Sequence, residues 1–438
     1  MPSPILWHND EQSVYLIDIP RSIETAQGET TQDLRHLVSS LPLQSPFGSN
    51  EPKSALAKAK VEGNSVITDL HAIYQDLLSN AGDKVRKNYD GPWCLPRPFT
   101  EDAPRTTKKR KLHEDSSEPP LAASSQYKLE RSRSALPGAL LSSLARSDKH
   151  DAYSVSSDDL DRGEGNGKAN RFFSNASDRS SSLHITRSDQ DESFAFRIPP
   201  HASFYLGDCA DSNPFRAAVR TQAQQLNTRA SFDFILLDPP WPNSSVKRTH
   251  QTPGSTYSTS ASIADMRELL LDTKVDFLMA EDCLIGVWIT NKPTIRDLVL
   301  GEDGIFECWD VEPVEEWIWL KTTVHGEPVS ALDALWRKPY EALLLGRMRS
   351  LSNRQEHSTD PSKVKRKVII SVPDMHSRKP CLKELIEPLM PDPKNYRALE
   401  LFARYLVTGW CSWGDECIKY NYEGFWRDMD KRYTEAGT

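Results

Sequence analysis

The chain has 438 residues, enough for two or three domains, with 38% hydrophobic and 26% charged residues. This low apolar content indicates globular parts diluted by a long polar segment. No apolar run reaches the roughly 18–20 residues of a membrane helix. The N-terminus MPSPILWHNDEQ has neither the basic nor the apolar region of a secretory signal. Because the net charge is −8, binding to nucleic acid would depend on local basic patches.

The seven cysteines are scattered singly, without a CxxC pair. Their odd number and their spacing suit neither a zinc site nor a disulfide framework. We therefore predict no metal site and an intracellular, reducing compartment.

Residues 1–100 are predicted to form a partly ordered N-terminal accessory region. The segment SVYLIDI (13–19) is typical of a strand. In residues 54–82 apolar side chains recur at spacings of three and four, which predicts a helix or a broken helix, with Gly82 at its end.

Residues 101–193 are predicted to be a disordered linker, because runs such as SVSSDDLDRGEGNGKAN carry few large apolar groups to offset chain entropy. Two short apolar islands, 135–144 and 172–173, are candidates for local packing. The compact basic run 108–111, preceded by Arg105, is typical of a nuclear-import signal, although a solvated charge cluster is the alternative.

Residues 194–438 are predicted to form the main folded unit, an α/β domain with a mostly parallel, doubly wound sheet. Near-continuous apolar strands alternate there with helical patterns. The predicted helices are 262–272, with Ser262 as N-cap, 293–300, with Pro293 in its first turn, and 381–390. The predicted strands are 232–238, 284–290, 315–321, 340–347, 367–372 and 397–403.

The strand FDFILLD leads directly into Asp238, Pro239, Pro240 and Trp241. In an open α/β sheet, ligands bind beyond the carboxyl ends of strands. The prolines leave carbonyl groups that can only accept hydrogen bonds, and Asp238 adds another acceptor. Such acceptors suit an exocyclic amino group, while the Trp241 ring offers a stacking surface for a planar base. A rigid turn with a buried tryptophan is the structural alternative.

The DPPW motif after an apolar strand resembles the signature of the S-adenosylmethionine-dependent adenine-N6 methyltransferases related to the messenger-RNA methyltransferase. The resemblance covers essentially all of residues 194–438. Segments that look most like the methyltransferase-like protein four branch are GVWITNKP, EEWIWLKTT, WRKPYEALLLGR, SVPDMHSRKP and LELFARYLVTGWCSWGDE. The resemblance implies a Rossmann-like methyltransferase fold with permuted motif order, in which the amine-binding motif precedes the cofactor-binding strand. The permuted order also explains why no GxGxxG occurs.

The resemblance implies that Asp238, Pro239, Pro240 and Trp241 form the catalytic motif. It implies S-adenosylmethionine as cofactor, with Lys379 meeting the cofactor carboxylate and the other contacts made by Asp208, Cys209, Asp238, Glu400, Phe402, Arg404, Asp415 and Glu416. Strand alternation would put Glu400, Phe402 and Arg404 on one face, with Leu399 and Leu401 toward the core. Asp415 stands where relatives carry an asparagine-containing turn, so contacts that need a side-chain donor there are in doubt.

Nucleic acid is the predicted substrate and partner. Substrate-binding candidates on the loops are Lys247, Arg248, Tyr257, Trp336, Arg337 and Lys338, and the run 363–367 adds further positive charge. The branch is associated with 2′-O-methylated adenosine in small nuclear RNA and with N6-methyladenine in DNA. RNA is the favoured expectation, in a nuclear enzyme active without an obligate partner subunit. The alternatives are a DNA methyltransferase and a catalytically inactive scaffold subunit.

Overall fold

The computed structural model describes most of the chain outside several loops and the segment after residue 99. The described residues are 3–28, 35–48, 68–99, 140–142, 144–145, 153–157, 160–162, 171–187, 192–242, 262–334, 338–349, 364–375 and 378–428.

The strands in chain order are β1 (Ile5–His8), β2 (Val14–Ile17), β3 (His36–Leu37), β4 (Tyr153–Ser157), β5 (Asp161–Arg162), β6 (Phe172–Ser174), β7 (Ser181–Arg187), β8 (Glu192–Ile198), β9 (Ser203–Leu206), β10 (Phe232–Leu237), β11 (Met279–Ile289), β12 (Val311–Lys321), β13 (Tyr340–Met348), β14 (Lys365–Ser371), β15 (Ala398–Leu401), β16 (Trp410–Gly414) and β17 (Trp426–Arg427).

The α-helices are α1 (Ile19–Thr25), α2 (Thr68–Asn88), α3 (Ser212–Gln225), α4 (Ile263–Asp272), α5 (Pro293–Leu300), α6 (Ile305–Cys308) and α7 (Lys383–Ile386). Residues 140–142 and 144–145 are also helical. The 3₁₀ turns are Val275–Leu278, Glu387–Leu389, Lys419–Asn421 and Glu423–Phe425.

A large twelve-stranded sheet organises the molecule, in the order β1-β2-β14-β12-β13-β11-β10-β15-β16-β9-β6-β5. From β2 to β9 the strands run parallel, except that β13 is antiparallel to both β12 and β11. This mostly parallel α/β architecture is the predicted fold class. Strand β10 pairs with β15, which follows it late in the chain, so the permuted order of the motifs is present in the sheet.

The predicted strands of residues 232–403 are confirmed within a few residues at their ends. Helix α4 begins as predicted, because the Ser262 hydroxyl accepts from the Asp265 amide and the Asp265 carboxylate accepts from the Ser262 amide. Pro293 stands in the first turn of α5. Apolar side chains from both faces of the sheet are buried against these elements, including fully buried Trp288, Trp317 and Trp413.

The N-terminal region adds to the main sheet. Strand β2 pairs in parallel with β14, and β1 pairs with β2 at the sheet edge. Helix α2 packs its buried Tyr74, Leu78 and Val85 against β12 and β14. The predicted stop at Gly82 is wrong, since α2 continues to Asn88. The first part of the predicted helix, residues 54–67, lies outside the described residues.

The prediction of disorder for 101–193 is wrong for several described parts of that segment. Strand β7 pairs with β4 and β8 in a three-stranded sheet, and β6 pairs with β9 at the edge of the main sheet. In β7 (SSLHITR) the buried residues Leu183 and Ile185 alternate with polar ones. Half of such a strand is polar by necessity, so its composition resembles that of a disordered segment. The basic run 108–111 lies outside the described residues.

Candidate active site at the carboxyl edge of the sheet

The carboxyl ends of four neighbouring parallel strands bring predicted site residues to one edge of the sheet. Asp238 directly follows β10, and its amide donates to the carbonyl of Leu401, the last residue of β15, at 3.4 Å. The Gly207 amide, after β9, donates to the carbonyl of Gly414 at the end of β16, at 3.3 Å. Asp238, the turn after β15, Asp415 and Asp208 therefore lie along a continuous edge.

Two lysines and two carboxylates form an ion-pair cluster at this edge. The Lys379 ammonium donates to Asp238 Oδ1 at 2.8 Å and lies 3.1 Å from Glu341 Oε2. The Lys321 ammonium donates to Glu341 Oε1. We call Asp238, Lys321, Glu341 and Lys379 the lysine cluster. Its formal charge sums to zero when all four groups are ionised.

Aromatic rings fix the positions of both lysines. The Lys379 ammonium lies 5.2 Å from the ring centre of Trp288, and the Lys321 ammonium lies 4.5 Å from that of Trp319. The two indoles pack edge to face, with centroids 6.0 Å apart. Cation–π attraction therefore adds to the ion pairs in orienting the ammonium groups.

The cluster also shifts the pKa values of its members. Burial raises the pKa of Glu341, but Lys321 and Lys379 outweigh that effect and hold it well below its usual range. Burial alone would lower the pKa of Lys379, yet Asp238 and Glu341 raise it. Both groups are therefore ionised at neutral pH. Asp238 and Glu341 take two of the three N–H donors of Lys379, and the third is left for an additional anion.

Glu400 lies on β15 beside Asp238, with only 7% of its surface exposed. Burial, with a contribution from the negative charge of Asp238, raises the pKa of Glu400 to about 8. Glu400 is therefore mainly protonated at neutral pH and can donate a hydrogen bond. As predicted, Leu399 and Leu401 point into the core.

The predicted common face of Glu400, Phe402 and Arg404 is wrong, because β15 ends at Leu401. Phe402 adopts a left-handed backbone conformation with φ of 57°, which is rare for a residue other than glycine. The chain turns there, so Phe402 and Arg404 follow a turn and strand alternation does not apply to them. Backbone strain of this kind, in a turn after a strand, is common at ligand-binding sites.

The ends of β9 and β16 place the other predicted cofactor residues. Cys209 is buried, its thiol contacts the Trp413 carbonyl at 3.7 Å, and burial raises its pKa well above the usual range. Asp208 is exposed, and Asp415 is partly buried beside Cys209. Glu416 differs from the prediction: it is 1% exposed and pairs with Lys419 at 3.1 Å. Asp208 and Asp415 are thus the accessible acceptors of this set.

The predicted stacking role of Trp241 does not agree with its environment. The indole is 8% exposed and belongs to the hydrophobic core on one face of the sheet. Its N–H donates to the Trp288 carbonyl at 2.7 Å. Trp241 therefore braces the DPPW turn against β11. The Pro239 carbonyl accepts from the Trp241 amide at 2.8 Å and keeps a second lone pair.

The predicted substrate loops are described only in part. Lys247, Arg248, Tyr257, Trp336 and Arg337 lie outside the described residues. Lys338 lies two residues before β13 and three residues before Glu341, and its ammonium lies 3.5 Å from the Leu332 carbonyl. Burial lowers the pKa of Lys338. Lys338 is therefore at the carboxyl edge, as its predicted role requires.

The basic run 363–367 was predicted to lie near the catalytic rim, and its described residues do not. Lys365 begins β14, so Lys365, Arg366 and Lys367 lie toward the opposite end of the sheet from Asp238. Arg366 pairs with Glu316 at 3.1 Å and Lys367 with Glu315 at 3.3 Å. Arg366 and Lys367 are therefore engaged in ion pairs between neighbouring strands.

Sequence reasoning missed Lys321, Glu341, Trp288 and Lys292. Lys321 ends β12 and Glu341 is the second residue of β13, which starts at the same edge. The Lys292 ammonium donates to the Pro242 carbonyl, just after the DPPW turn. Lys321 could have been predicted from the sequence, because it is a charged residue at the carboxyl end of the apolar strand WIWLK.

The donor and acceptor set fits S-adenosylmethionine in its chemistry. Lys379 offers a cation with a spare donor for the carboxylate, and Asp208 and Asp415 offer acceptors for hydroxyl or amino groups. Among the residues that the structure describes, no three His, Cys, Asp or Glu side chains are placed to hold a metal ion. Within the same residues, no helix combines the length and apolar character needed to cross a membrane.

The sheet order, with β13 antiparallel between β11 and β12, and the site at the carboxyl edge are those of a Rossmann-like α/β methyltransferase fold. Residues 232–416 match the family model MT-A70. The chain therefore contains an MT-A70 domain. This is the domain of the adenine-N6 methyltransferases whose DPPW signature the sequence resembles.

Full-length and partial relatives differ in what they share with the chain. It is 29% identical to "N6-methyladenosine RNA methyltransferase MTA1" of Pyricularia oryzae over 457 residues, covering 100% of both chains. It is 37% identical to "N(6)-adenine-specific methyltransferase METTL4" of Mus musculus, over 52% of this chain and 44% of the mouse protein. It is 33% identical to the "DNA N6-methyl methyltransferase" of Caenorhabditis elegans, over 50% and 53%.

Proposed function

We propose that this protein transfers a methyl group from S-adenosylmethionine to N6 of adenine in RNA. The observation that carries the proposal is the 2.8 Å ion pair between Lys379 and Asp238. It joins the residue expected to hold the cofactor carboxylate to the residue expected to hold the target amine. Two sites needed for one transfer are thereby coupled through a single contact.

Asp238 and the Pro239 carbonyl orient the adenine amino group. Lys379 occupies Asp238 Oδ1, and Oδ2 is the oxygen proposed to accept from N6. The amino lone pair is delocalised into the ring, so two acceptors that fix the N–H directions favour the geometry in which nitrogen attacks. S-adenosylmethionine supplies the methyl group when bound. Glu341 and Trp288 hold Lys379 in place. Lys379 binds the carboxylate of the cofactor and so positions the cofactor.

RNA is preferred to DNA because the similarity to proteins named RNA methyltransferases extends over the full length. The similarity to the protein named a DNA methyltransferase extends over about half of this chain. The more specific form of the proposal is adenosine already carrying a 2′-O-methyl group, as in small nuclear RNA. The enzyme is proposed to act without an obligate partner subunit.

The test is methylation by the purified chain alone, with one oligonucleotide sequence made as RNA, as DNA, and as RNA with a 2′-O-methyl at the target adenosine. Methylation of RNA above DNA supports the proposal, and further stimulation by 2′-O-methylation supports its specific form. Preference for DNA supports the alternative enzyme. Cofactor binding without methylation of any oligonucleotide would favour the scaffold subunit.

A nuclear location is part of the proposal, because the run Lys108-Lys109-Arg110-Lys111 with Arg105 is compact and basic. Fluorescent fusions test this directly. Replacing the four residues with Ala is expected to shift the fusion to the cytoplasm, whereas replacing Arg131 and Arg133 serves as the matched control. Unchanged nuclear accumulation of the first variant would overturn this part.

A further inference from the structure

A network of buried charges lies next to Lys379, at the carboxyl ends of β2 and β14. Asp18 directly follows β2, and Asp374 lies three residues after the end of β14, with which β2 runs parallel. Arg97 lies 3.2 Å from Asp18 Oδ2 and 4.0 Å from Asp374 Oδ1. Arg378 donates to Asp374 Oδ2 at 2.5 Å. We call Asp18, Arg97, Asp374 and Arg378 the buried network, since each side chain is at most 2% exposed.

The charges of the buried network compensate one another. Its two carboxylates and two guanidinium groups sum to zero when all four are ionised. Burial raises the pKa of Asp374, but Arg378 and Arg97 outweigh that effect and lower it, so Asp374 is ionised at neutral pH. Asp374 Oδ1 also accepts from the Ser40 amide at 3.0 Å. Because a fully buried carboxylate that loses a cationic partner is costly, the network holds its segments in one arrangement.

The N-terminal region bonds to the chain on both sides of Lys379. On one side, the Arg378 guanidinium donates to the carbonyl of Val38 at 3.0 Å. On the other side, the Cys381 amide donates to the Ser22 hydroxyl oxygen at 2.9 Å. These two contacts restrain the backbone from which the Lys379 side chain extends.

The ion pairs of the lysine cluster orient the ammonium group of Lys379, whereas the position of its backbone depends on the residues around it. Arg378 directly precedes Lys379 in the chain and is too deeply buried to reach a ligand itself. The match to the family model begins at residue 232, so Asp18 and Arg97 lie outside the MT-A70 domain. The support for a cofactor-binding residue therefore comes partly from outside that domain.

We propose that Arg378 is a positioning residue for Lys379, and that the N-terminal region acts through the buried network to set the affinity for the cofactor carboxylate. This inference rests on the proposed function, since it concerns the site proposed to hold that carboxylate. A displaced Lys379 loses its contact with the carboxylate but leaves the contacts with the rest of the cofactor. The role therefore predicts a loss of affinity confined to ligands that carry the carboxylate.

The experiment measures the binding of two ligands by calorimetry to the full-length wild type, R378M, K379M and the double variant. S-adenosylhomocysteine carries the amino-acid carboxylate, and 5′-methylthioadenosine lacks it. R378M is expected to bind S-adenosylhomocysteine about tenfold more weakly, as for a weakened contact between charged groups, and to bind 5′-methylthioadenosine as wild type does. In the K379M background R378M should have no further effect, because both changes remove the same contact.

The matched control is R296M, since Arg296 also pairs with a buried carboxylate, that of Glu316. R296M should lower the melting temperature but bind both ligands as wild type does at temperatures where it is folded. If R378M does not fold, S22A decides by the same comparison. It removes only the hydroxyl that accepts from the Cys381 amide, and should weaken S-adenosylhomocysteine binding about threefold.

The positioning role is overturned if R378M binds S-adenosylhomocysteine with wild-type affinity, or if both ligands lose affinity equally. It is also overturned if the loss in R378M adds fully to that in K379M. In each of these cases the proposed function stands, because the wild type still binds the cofactor product. If the wild type binds no S-adenosylhomocysteine, the proposed function and this inference fall together.

Discussion

Two glutamates on neighbouring strands each pair with two cations, but only one of the two carboxylates has all of its hydrogen-bonding partners in a closed cluster. Glu316 on β12 is 1% exposed; both its oxygens are used, Oε1 by Arg296 and Tyr74 and Oε2 by Arg366. We call Tyr74, Arg296, Glu316 and Arg366 the arginine cluster. Glu341 on β13 is partly buried, and its partner Lys379 also holds Asp238. The lysine cluster keeps a spare donor and a spare carboxylate oxygen.

The difference shows how similar charges serve fold or function. The arginine cluster joins α2, α5, β12 and β14, and every oxygen of its carboxylate has a partner inside the protein. Such a closed arrangement stabilises elements against each other but has nothing to offer a ligand. The lysine cluster lies at the carboxyl edge with unused hydrogen-bonding capacity, as a binding site requires.

Replacing the central glutamate of the closed cluster should have the largest effect. E316A leaves two guanidinium groups without their shared carboxylate, and should lower the free energy of unfolding by about 3–5 kcal/mol. Urea titration measures this. E281A, at an exposed glutamate of β11, should change it by less than about 0.5 kcal/mol. A loss for E316A no larger than that of the control would contradict the bracing role.

The open cluster should instead respond in activity. D238A should reduce methylation by a factor of at least about 100, the effect of losing a well-oriented transition-state contact. Its melting temperature should stay near that of wild type, because Asp238 is at a strand end. The exposed aspartate variant D272A is the control. Methylation within about threefold of wild type would refute the assignment of Asp238.

A third variant compares the glutamates directly. E341Q removes the charge that holds Lys379 between two carboxylates, so cofactor affinity should fall about tenfold, a value typical of a charge-assisted hydrogen bond. E316Q should leave affinity unchanged at temperatures where it is folded. Calorimetry with S-adenosylhomocysteine measures both. Equal losses of cofactor affinity in E341Q and E316Q would contradict separate roles for the lysine cluster in binding and the arginine cluster in stability.

The two glutamates nearest Asp238 should also differ in the sign of their pH dependence. The pKa of Glu400 is raised to about 8, so its stabilising effect is present at low pH and is lost as pH rises through 8. The pKa of Glu341 is lowered by its lysines, so its contribution is lost as pH falls. Melting temperatures from pH 2 to 9 test this: E400Q should gain on wild type as pH rises from about 4.5 to 8, and E341Q should gain on wild type as pH falls below about 4.5. Parallel curves would contradict the prediction.

The smallest effect concerns nucleic-acid binding. Replacing Lys247 and Arg248 with Gln should reduce the salt dependence of oligonucleotide binding, by a slope of about 0.7 per lost phosphate contact on a single strand. K365Q, at the opposite end of the sheet, should leave the slope unchanged. Fluorescence anisotropy across a salt series distinguishes them. A change confined to K365Q would place the substrate at the other end.

Sequence patterns predicted the central strands because their apolar runs are nearly continuous, as in FDFILLD. They failed for β7, whose serines masked its alternation, and for the end of α2, where Gly82 is tolerated inside the helix. In the site, Asp238 and Lys379 were predicted from their motifs. Glu341 was not, because its role arises from its contact with Lys379, which is distant in sequence and which no local pattern encodes.

The pairing of β2 with β14 has a consequence for how the protein is made. Val14 pairs with Val368, so β2 leaves the ribosome roughly 350 residues before the strand that it pairs with. At about 5–20 residues per second, that delay is on the order of tens of seconds. During this delay the apolar residues of β2 and α1 lack the side chains that they pack against in the folded protein. Such non-local pairing slows folding, and the enzyme is expected to need chaperone protection during its synthesis.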